Sequence, residues 1–332
     1  MSSEVYNHIG VIGTGSWGTA LALAAARAGR RTSLWARDSQ LAGAIQAEHE
    51  NRRYLPGVSL PSEIAATASL EIVAAADALL LVIPAQHVRG TIVLLQQHLK
   101  RDAPLVICAK GIERGTGKLM SEVLAEFFAP RQIAILSGPS FARDVAEGLP
   151  TAVTVAAQPD IAQRLQAALG HGSFRPYVSE DVTGVALGGA AKNVYAIACG
   201  IVAGMGLGES ARAALLARSF SELRRLGEAL GARSETLMGL SGLGDLVLTA
   251  TSPTSRNFSF GLAIGKGASR LDLDAKGHPL AEGIATAPAL LARARALGIE
   301  LPVAGTTAAI LDGSLALDAA IPRLMSRPLK AE

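Results

Sequence analysis

The chain has 332 residues, of which 49% are hydrophobic and 18% charged, and its formal net charge is +3 at pH 7. This composition excludes a disordered or fibrous protein, and the length suits two domains. The weak positive charge is not gathered in a basic run, which argues against a nucleic-acid-binding protein.

In chain order, the first half alternates short apolar runs with helical patterns. The predicted strands are 8–12, 32–36, 78–83, 105–109 and 133–136, with further strands at 151–156 and 174–178, and the predicted helices are 17–28 and 87–99. Strands that alternate with helices predict an α/β domain with a mostly parallel sheet covered on both faces.

Beyond about residue 180 the pattern changes. Apolar residues recur at helical spacing in 211–230, 287–297, 306–311 and 316–324, and strand signals nearly vanish. The second half is therefore predicted to be all-helical, with a domain boundary near Asp181.

The cysteines and the apolar segments bear on the cellular location of the protein. Cys108 and Cys199 have no partner in a C-x-x-C or Cys/His cluster, so neither a disulfide framework nor a metal site is predicted. The first eight residues lack the basic and apolar regions of a signal peptide, and the longest apolar stretch, 194–207, is too short and glycine-rich to span a bilayer. We expect a cytoplasmic protein without a membrane span.

A glycine motif follows the first predicted strand and opens the first predicted helix. In Gly13-Thr-Gly15-Ser-Trp-Gly18, the first glycine permits a tight turn, the second lets a pyrophosphate approach the backbone, and the third allows helix and strand to pack closely. The alternative is a glycine-rich structural turn. The strand-turn-helix context favours a dinucleotide site.

The end of the second strand bears on the choice of cofactor. An acid there binds the ribose of NAD, whereas an arginine accommodates the 2′-phosphate of NADP. Arg37 favours NADP, and Asp38 keeps NAD open, although Asp38 also suits the cap of the next helix.

Lys192 is the one charged residue between Asp181 and Glu209, in a segment of small and apolar residues that predicts a close-packed buried helix. Burial disfavours the charged form, so the pKa of this lysine is expected to fall from about 10.4, towards the range that general acid–base chemistry requires. The alternative is a lysine that reaches the surface or pairs with a carboxylate.

Four more segments carry groups suited to an anionic substrate. Lys110 and the Gly138–Ser140 segment follow strands, at the edge where open α/β sheets bind ligands. Asp245 lies in a glycine-rich turn, and hydroxyl, guanidinium and amide groups are adjacent in 254–257. Each segment alone is equally compatible with a turn, a cap or a solvated charge.

Taken together, these motifs resemble the bacterial-type NAD(P)-dependent glycerol-3-phosphate dehydrogenases. The similar segments run from about Ile9 to the C-terminal helices: G-T-G-S-W-G, L-W-A-R, Y-L-P-G, A-K-G-I-E, S-G-P-S-F-A, L-G-G-A-A-K-N-V-Y-A-I, G-L-G-D-L-V-L-T, S-R-N and A-E-G. The resemblance implies a Rossmann dinucleotide-binding domain at 1–181, a helical substrate-binding domain at 182–332, and a homodimer. It also implies reversible reduction of dihydroxyacetone phosphate to sn-glycerol 3-phosphate with NADP(H) or NAD(H), which feeds glycerophospholipid synthesis.

The family pattern assigns roles to residues of this chain. Lys192 would be the proton donor and acceptor at the substrate C2 oxygen. The glycerol phosphate site would comprise Lys110, Gly138, Ser140, Lys192, Asp245, Ser255, Arg256 and Asn257. The dinucleotide would contact Gly13, Gly15, Ser16, Trp17, Gly18, Arg37, Lys110, Ala142, Arg256, Leu280 and Glu282.

Two other functions remain open at this point. One is another two-domain Rossmann dehydrogenase, such as a ketopantoate reductase or a β-hydroxyacid dehydrogenase, which also uses a helical lysine. The other is a non-catalytic NADP-binding sensor, which needs neither a buried Lys192 nor an anion site. The Ser255-Arg256-Asn257 and Gly242–Asp245 segments favour the phosphorylated three-carbon substrate.

Overall fold

The computed structural model describes residues 5–100, 102–275 and 277–326, so the outer ends of the two predicted domain ranges, 1–4 and 327–332, lie outside the described residues. The chain divides into two compact units. The first comprises Met1–Lys110 and Met120–Ala186, and the second comprises Gly111–Leu119 and Leu187–Glu332.

The first unit is built on an eight-stranded sheet. Its strands are β1 (His8–Ile12), β2 (Arg31–Trp35), β3 (Ile64–Thr67), β4 (Ala78–Leu81), β5 (Leu105–Ile107), β6 (Ile133–Ser137), β7 (Thr151–Ala156) and β8 (Phe174–Ser179). Their spatial order is β3-β2-β1-β4-β5-β6-β7-β8. The first six strands thus follow the 3-2-1-4-5-6 order of the doubly wound dinucleotide-binding fold.

All neighbouring strands of this sheet run parallel except β6 and β7, which pair antiparallel. The predicted mostly parallel α/β domain is confirmed. The sequence missed β3, whose four residues Ile-Ala-Ala-Thr are too few and too exposed to give a strand pattern.

Helices connect the strands and cover both faces of the sheet. They are α1 (Ser16–Arg27), α2 (Ser39–Glu48), α3 (Leu70–Ala74), α4 (Val88–Leu95), α5 (Met120–Ala125), α6 (Ala142–Glu147) and α7 (Pro159–Leu169). Successive side chains of β4 alternate between faces, with Leu80 in one core cluster and Leu79 and Leu81 in the other. Burial on both faces explains why the strands read as continuous apolar runs.

The second unit is helical, as the sequence predicted. Its helices are α8 (Val182–Gly204, which enters this unit at Leu187), α9 (Glu209–Ala229), α10 (Ser234–Met238), α11 (Asp245–Thr251), α12 (Arg256–Gly265), α13 (Arg270–Ala275), α14 (Glu282–Ala296), α15 (Pro302–Leu311) and α16 (Leu317–Met325). A single π-helical turn, Leu240–Gly244, precedes α11.

Close packing against α12 explains why α8 is rich in small residues. A Cβ at Gly200 would lie 2.2 Å from the carbonyl oxygen of Phe258 on α12, and one at Gly261 would lie 2.1 Å from that of Ile197 on α8. The two backbones therefore approach closely only because both positions are glycine. In the described part of the chain, α8 is the one helix long and apolar enough to cross a membrane, yet 94% of its apolar window is buried within the protein, as in a core helix.

Glu222 of α9 is a buried carboxylate that holds the start of α15. Its two oxygens accept hydrogen bonds from the backbone N–H groups of Val303 at 2.6 Å and Ala304 at 3.2 Å, and the residue is 3% exposed. Burial raises the pKa of Glu222 from its usual 4.5 to about 7, although the two backbone hydrogen bonds act in the opposite direction. A carboxyl whose pKa is raised on folding stabilises the fold fully below its unfolded pKa, and that contribution is lost as the pH rises through the folded pKa.

Replacing Glu222 by glutamine should therefore flatten the dependence of stability on pH. Between pH 5 and pH 8 the unmodified protein should lose roughly 3 kcal/mol of unfolding free energy through this group, at about 1.4 kcal/mol per unit of pKa difference. Glu222→Gln should lack that loss, while the exposed Glu228→Gln on the same helix should retain it. Thermal or urea unfolding at both pH values measures the difference, and equal pH slopes for all three proteins would contradict the prediction.

Candidate active site

The glycine-rich loop between β1 and α1 has the form that a dinucleotide requires. Gly13 has φ +117°, and a Cβ there would lie 2.3 Å from the carbonyl oxygen of Val82, while one at Gly18 would lie 1.8 Å from that of Gly13. Packing of the protein therefore explains two of the three glycines. Gly15 has an extended backbone that any residue adopts, and a Cβ there would meet nothing within 4 Å. The open space at Gly15 suits the close approach of a ligand to the backbone.

The start of α1 completes this loop. No side chain caps the helix, which begins at Ser16, so its first N–H groups and its dipole favour an anion. Trp17, in the first turn, packs against the core cluster beneath. The residues present thus fit the pyrophosphate of a dinucleotide.

Arg37 and Asp38 follow β2 at the carboxyl edge of the sheet. Arg37 is exposed, whereas Oδ1 of Asp38 accepts hydrogen bonds from the N–H groups of Gln40 at 2.9 Å and Leu41 at 3.3 Å. Asp38 therefore caps α2, which is one of the two roles that the sequence left open for it.

Two predicted substrate residues of the first unit donate hydrogen bonds to the backbone carbonyl of a third. Lys110, just beyond β5, donates through Nζ to the carbonyl oxygen of Gly138 at 3.2 Å, and the hydroxyl of Ser140 donates to the same oxygen at 3.1 Å. Gly138 has φ +155°, and a Cβ there would lie 2.8 Å from Cα of Val153, so only glycine fits. Ala142 begins α6 shortly afterwards.

In the second unit, Lys192 forms a buried polar cluster with two side chains of α11. The lysine is 7% exposed and pairs with Asp245, which is 1% exposed. Its Nζ also donates to the hydroxyl of Thr249 at 2.8 Å. Sequence reasoning missed Thr249, although the i,i+4 spacing from Asp245 places both side chains on one face of a helix.

Close backbone packing brings Asp245 to Lys192. Gly188 lies one turn before Lys192 on the same face of α8, and a Cβ there would lie 2.6 Å from the carbonyl oxygen of Ser241. Ser241 belongs to the π-helical turn that leads into α11. The sequence predicted a glycine-rich turn at Gly242–Asp245, but this segment is helical, and π-helical turns often occur at functional sites.

Two opposing effects act on the charge of Lys192 in this cluster. Burial disfavours the charged lysine, but a carboxylate in contact favours it, and the hydroxyl of Thr249 accepts a further hydrogen bond from the ammonium. The pairing with Asp245 is also the alternative that the sequence raised for Lys192. The contacts with Asp245 and Thr249 keep the lysine Nζ in a fixed position.

The start of α12 presents an anion-binding arrangement. Ser255 caps the helix by accepting a hydrogen bond from the N–H of Phe258 at 3.2 Å, and Arg256, its first residue, has an exposed side chain. A guanidinium beside a helix N-terminus suits a phosphate.

The side chain of Asn257 is engaged by the protein itself. Its Nδ2 donates to Oδ1 of Asn193 at 2.9 Å, and its Oδ1 accepts from the N–H of Gly283 at 3.0 Å. Because Asn193 follows Lys192 on α8, this amide ties the start of α12 to the helix that carries the lysine. Because the side chain is occupied, the backbone N–H of Asn257 is the group better placed to contact a phosphate.

The remaining predicted residues lie in the second unit. Leu280 is exposed, and Glu282 is the first residue of α14. Across residues 5–100, 102–275 and 277–326, no three His, Cys, Asp or Glu side chains gather as a metal site requires.

Comparison with known proteins identifies the family. The model of the NAD-dependent glycerol-3-phosphate dehydrogenase N-terminus matches residues 8–162, and that of the C-terminus matches residues 181–322. The chain belongs to this family. A relative named glycerol-3-phosphate dehydrogenase [NAD(P)+], from Bradyrhizobium diazoefficiens, is 55% identical over 98% of this chain and 99% of its own length. The crystal structure of glycerol-3-phosphate dehydrogenase from Coxiella burnetii is 36% identical, with a TM-score of 0.91 over 97% of this chain and 99% of that chain.

Membership of the glycerol-3-phosphate dehydrogenase family confirms the predicted fold class, oxidoreductase activity and NAD(H) or NADP(H) cofactor. The alternatives are not favoured. A ketopantoate reductase from Ralstonia eutropha JMP134 shares only the fold, at 17% identity and a TM-score of 0.58 over 95% of this chain and 99% of its own. The roles of individual site residues stay predictions.

Proposed function

We propose that the chain catalyses the reversible reduction of dihydroxyacetone phosphate to sn-glycerol 3-phosphate with NADPH or NADH. The observation that carries the proposal is the buried Lys192–Asp245–Thr249 cluster in a member of the glycerol-3-phosphate dehydrogenase family. Relatives more than half identical to the chain bear the name of this enzyme.

Side chains of the second unit protonate the substrate and bind its phosphate. When bound, the nicotinamide supplies a hydride. Lys192 gives a proton to the ketone oxygen, since the alkoxide that develops there needs a proton or a nearby cation. Asp245 and Thr249 hold the lysine Nζ in place, and Arg256 with the start of α12 binds the phosphate.

The first unit holds the cofactor. The glycine loop and the N-terminus of α1 bind the pyrophosphate, and Arg37 binds the adenosine 2′-phosphate. We accordingly assign dinucleotide binding to 1–181 and substrate binding to 182–332. We further propose that the enzyme is a cytoplasmic homodimer whose product feeds glycerophospholipid synthesis.

Loss of NADPH absorbance tests the activity directly. The purified protein should oxidise NADPH on addition of dihydroxyacetone phosphate, and it should show little oxidation with ketopantoate or without substrate. Oxidation with ketopantoate alone would show a different dehydrogenase. Binding of NADPH without oxidation by either substrate would show a sensor.

Arg37 should decide much of the preference for NADPH. Charge-assisted hydrogen bonds to a phosphate contribute about 1.5–3 kcal/mol, so Arg37→Ala should raise the Michaelis constant for NADPH by about tenfold or more and change that for NADH far less. Arg175→Ala, at an exposed arginine of β8, is the matched control and should change neither constant. Equal losses with both cofactors would assign Arg37 to the adenine or to the fold.

A further inference from the structure

Asn51, a fully buried side chain that the sequence did not single out, supports the glycine-rich loop. Its Nδ2 donates to the carbonyl oxygen of Thr14 and to the hydroxyl of Thr19, both at 2.8 Å. Thr14 lies in the loop itself and Thr19 in the first turns of α1. A buried amide with two such bonds ties its own chain segment to the loop, since breaking them would leave polar groups unsatisfied.

The same asparagine shapes the residues that follow it. Its Oδ1 accepts a hydrogen bond from the N–H of Tyr54 at 3.2 Å, and its carbonyl oxygen accepts one from the N–H of Leu55 at 2.8 Å. These bonds close a tight turn over 51–55, so Arg53 within it is carried on a segment that is fixed to the dinucleotide loop. Arg53 itself is exposed, and its guanidinium lies 5.3 Å from the ring centroid of Tyr54.

Arg53 reaches the end of β2, where the ribose of a bound dinucleotide is recognised. Its Nη1 lies 3.7 Å from Oδ2 of Asp38, the residue directly after Arg37. The other oxygen of Asp38 accepts the two N–H groups of α2. Asp38 is therefore occupied on both sides, by a helix N-terminus and by an arginine.

The charges at the end of β2 determine whether a ribose hydroxyl or a 2′-phosphate binds there. An unpaired acid at the end of β2 would accept the ribose hydroxyl of NAD and repel a 2′-phosphate. Here the carboxylate of Asp38 is paired with the guanidinium of Arg53, and the preceding residue, Arg37, is a second exposed arginine. The ion pair with Asp38 is solvent-exposed and hence weak, so Arg53 can exchange this partner for a doubly charged phosphate.

We propose that Arg53 is a second specificity residue for NADP(H), which binds the adenosine 2′-phosphate together with Arg37. This inference rests on the proposed use of NADP(H) by the dehydrogenase. It assigns to the Asn51–Leu55 turn the task of holding Arg53 in register with the glycine-rich loop.

Equilibrium binding tests the proposal without catalysis. Dissociation constants for NADPH and NADH are measured from cofactor fluorescence, and those for 2′,5′-ADP and 5′-AMP by competition. Arg53→Ala should weaken binding of NADPH and 2′,5′-ADP by about tenfold or more and leave NADH and 5′-AMP within twofold. Arg53→Glu should weaken the two phosphate-bearing ligands further.

Arg52→Ala is the matched control, because Arg52 is the adjacent exposed arginine but pairs with Glu48 and Glu50 instead. It should leave all four constants unchanged. Equal weakening of NADPH and NADH by Arg53→Ala, or an effect no larger than that of Arg52→Ala, would overturn the proposal. Reduction of dihydroxyacetone phosphate by the unmodified enzyme is measured in parallel, so that failure of the proposed function is seen separately from failure of the Arg53 assignment.

Discussion

Replacing Lys192 by methionine is expected to lower turnover of dihydroxyacetone phosphate by at least ~10²-fold while NADPH still binds. General acid catalysis typically contributes ~10²–10⁴-fold, and the ammonium also stabilises the developing alkoxide. Methionine keeps the length of the side chain and suits the apolar surroundings of α8. Turnover is measured by NADPH absorbance and cofactor binding by fluorescence.

A second variant is needed because Lys192 is paired with a buried carboxylate. Lys192→Met leaves the carboxylate of Asp245 buried without its cation, which destabilises the fold by itself. The double variant Lys192→Met with Asp245→Asn removes both charges, so it should recover melting temperature but not turnover. Lys266→Met, at an exposed lysine of the same unit, should change neither. A folded Lys192→Met enzyme within tenfold of normal turnover would return this lysine to a structural role.

Replacing Arg256 by lysine should reduce kcat/KM for dihydroxyacetone phosphate by about tenfold or more. A planar guanidinium donates two parallel hydrogen bonds to a phosphate, whereas an ammonium acts as a single point of charge. The side chain of Arg256 is exposed at the start of α12, so the substitution should not disturb folding. Steady-state kinetics over a range of substrate concentrations, with a thermal melt beside them, measure the effect.

An exposed arginine of α14 provides the comparison for this prediction. Arg295→Lys makes the same chemical change in the same unit and should leave kcat/KM unaltered. If Arg256→Lys behaves like Arg295→Lys, Arg256 does not bind the phosphate, and the N-terminus of α12 alone would have to do so.

In the first unit, local sequence patterns predicted some strands with their exact bounds but not how all of the strands pair. The predicted strands 8–12 and 151–156 have the bounds of β1 and β7, because buried strands of a covered sheet are continuous apolar runs with clear breaks. The antiparallel pairing of β6 with β7 has no such signature, since strand direction depends on how the chain crosses the sheet. The strand β3 was missed because its four residues are too few and too exposed to give a strand pattern.

In the candidate site, the sequence identified groups whose chemistry is visible in one residue type. Lys192 stood out because a lone charge in an apolar helix must be buried or paired, and Asp245 because of its glycine-rich context. Thr249 and Asn51 did not stand out, because a threonine or asparagine acquires a role only through the partners that surround it. The side chain of Asn257 is held by Asn193 and Gly283, partners that only the fold brings to it.

The sequence by itself determined the two-part organisation, the glycine-rich loop between β1 and α1, the helical second half and the family, because these depend on periodicity and on motifs read along the chain. Only the tertiary structure decided which buried groups meet. The close approach of α8 to the π-helical turn at Gly188, which joins Lys192 to Asp245, depends on contacts between segments more than 50 residues apart. The same holds for Arg53 beside Asp38, since the turn that carries it is fixed by Asn51 to a loop 37 residues earlier in the chain.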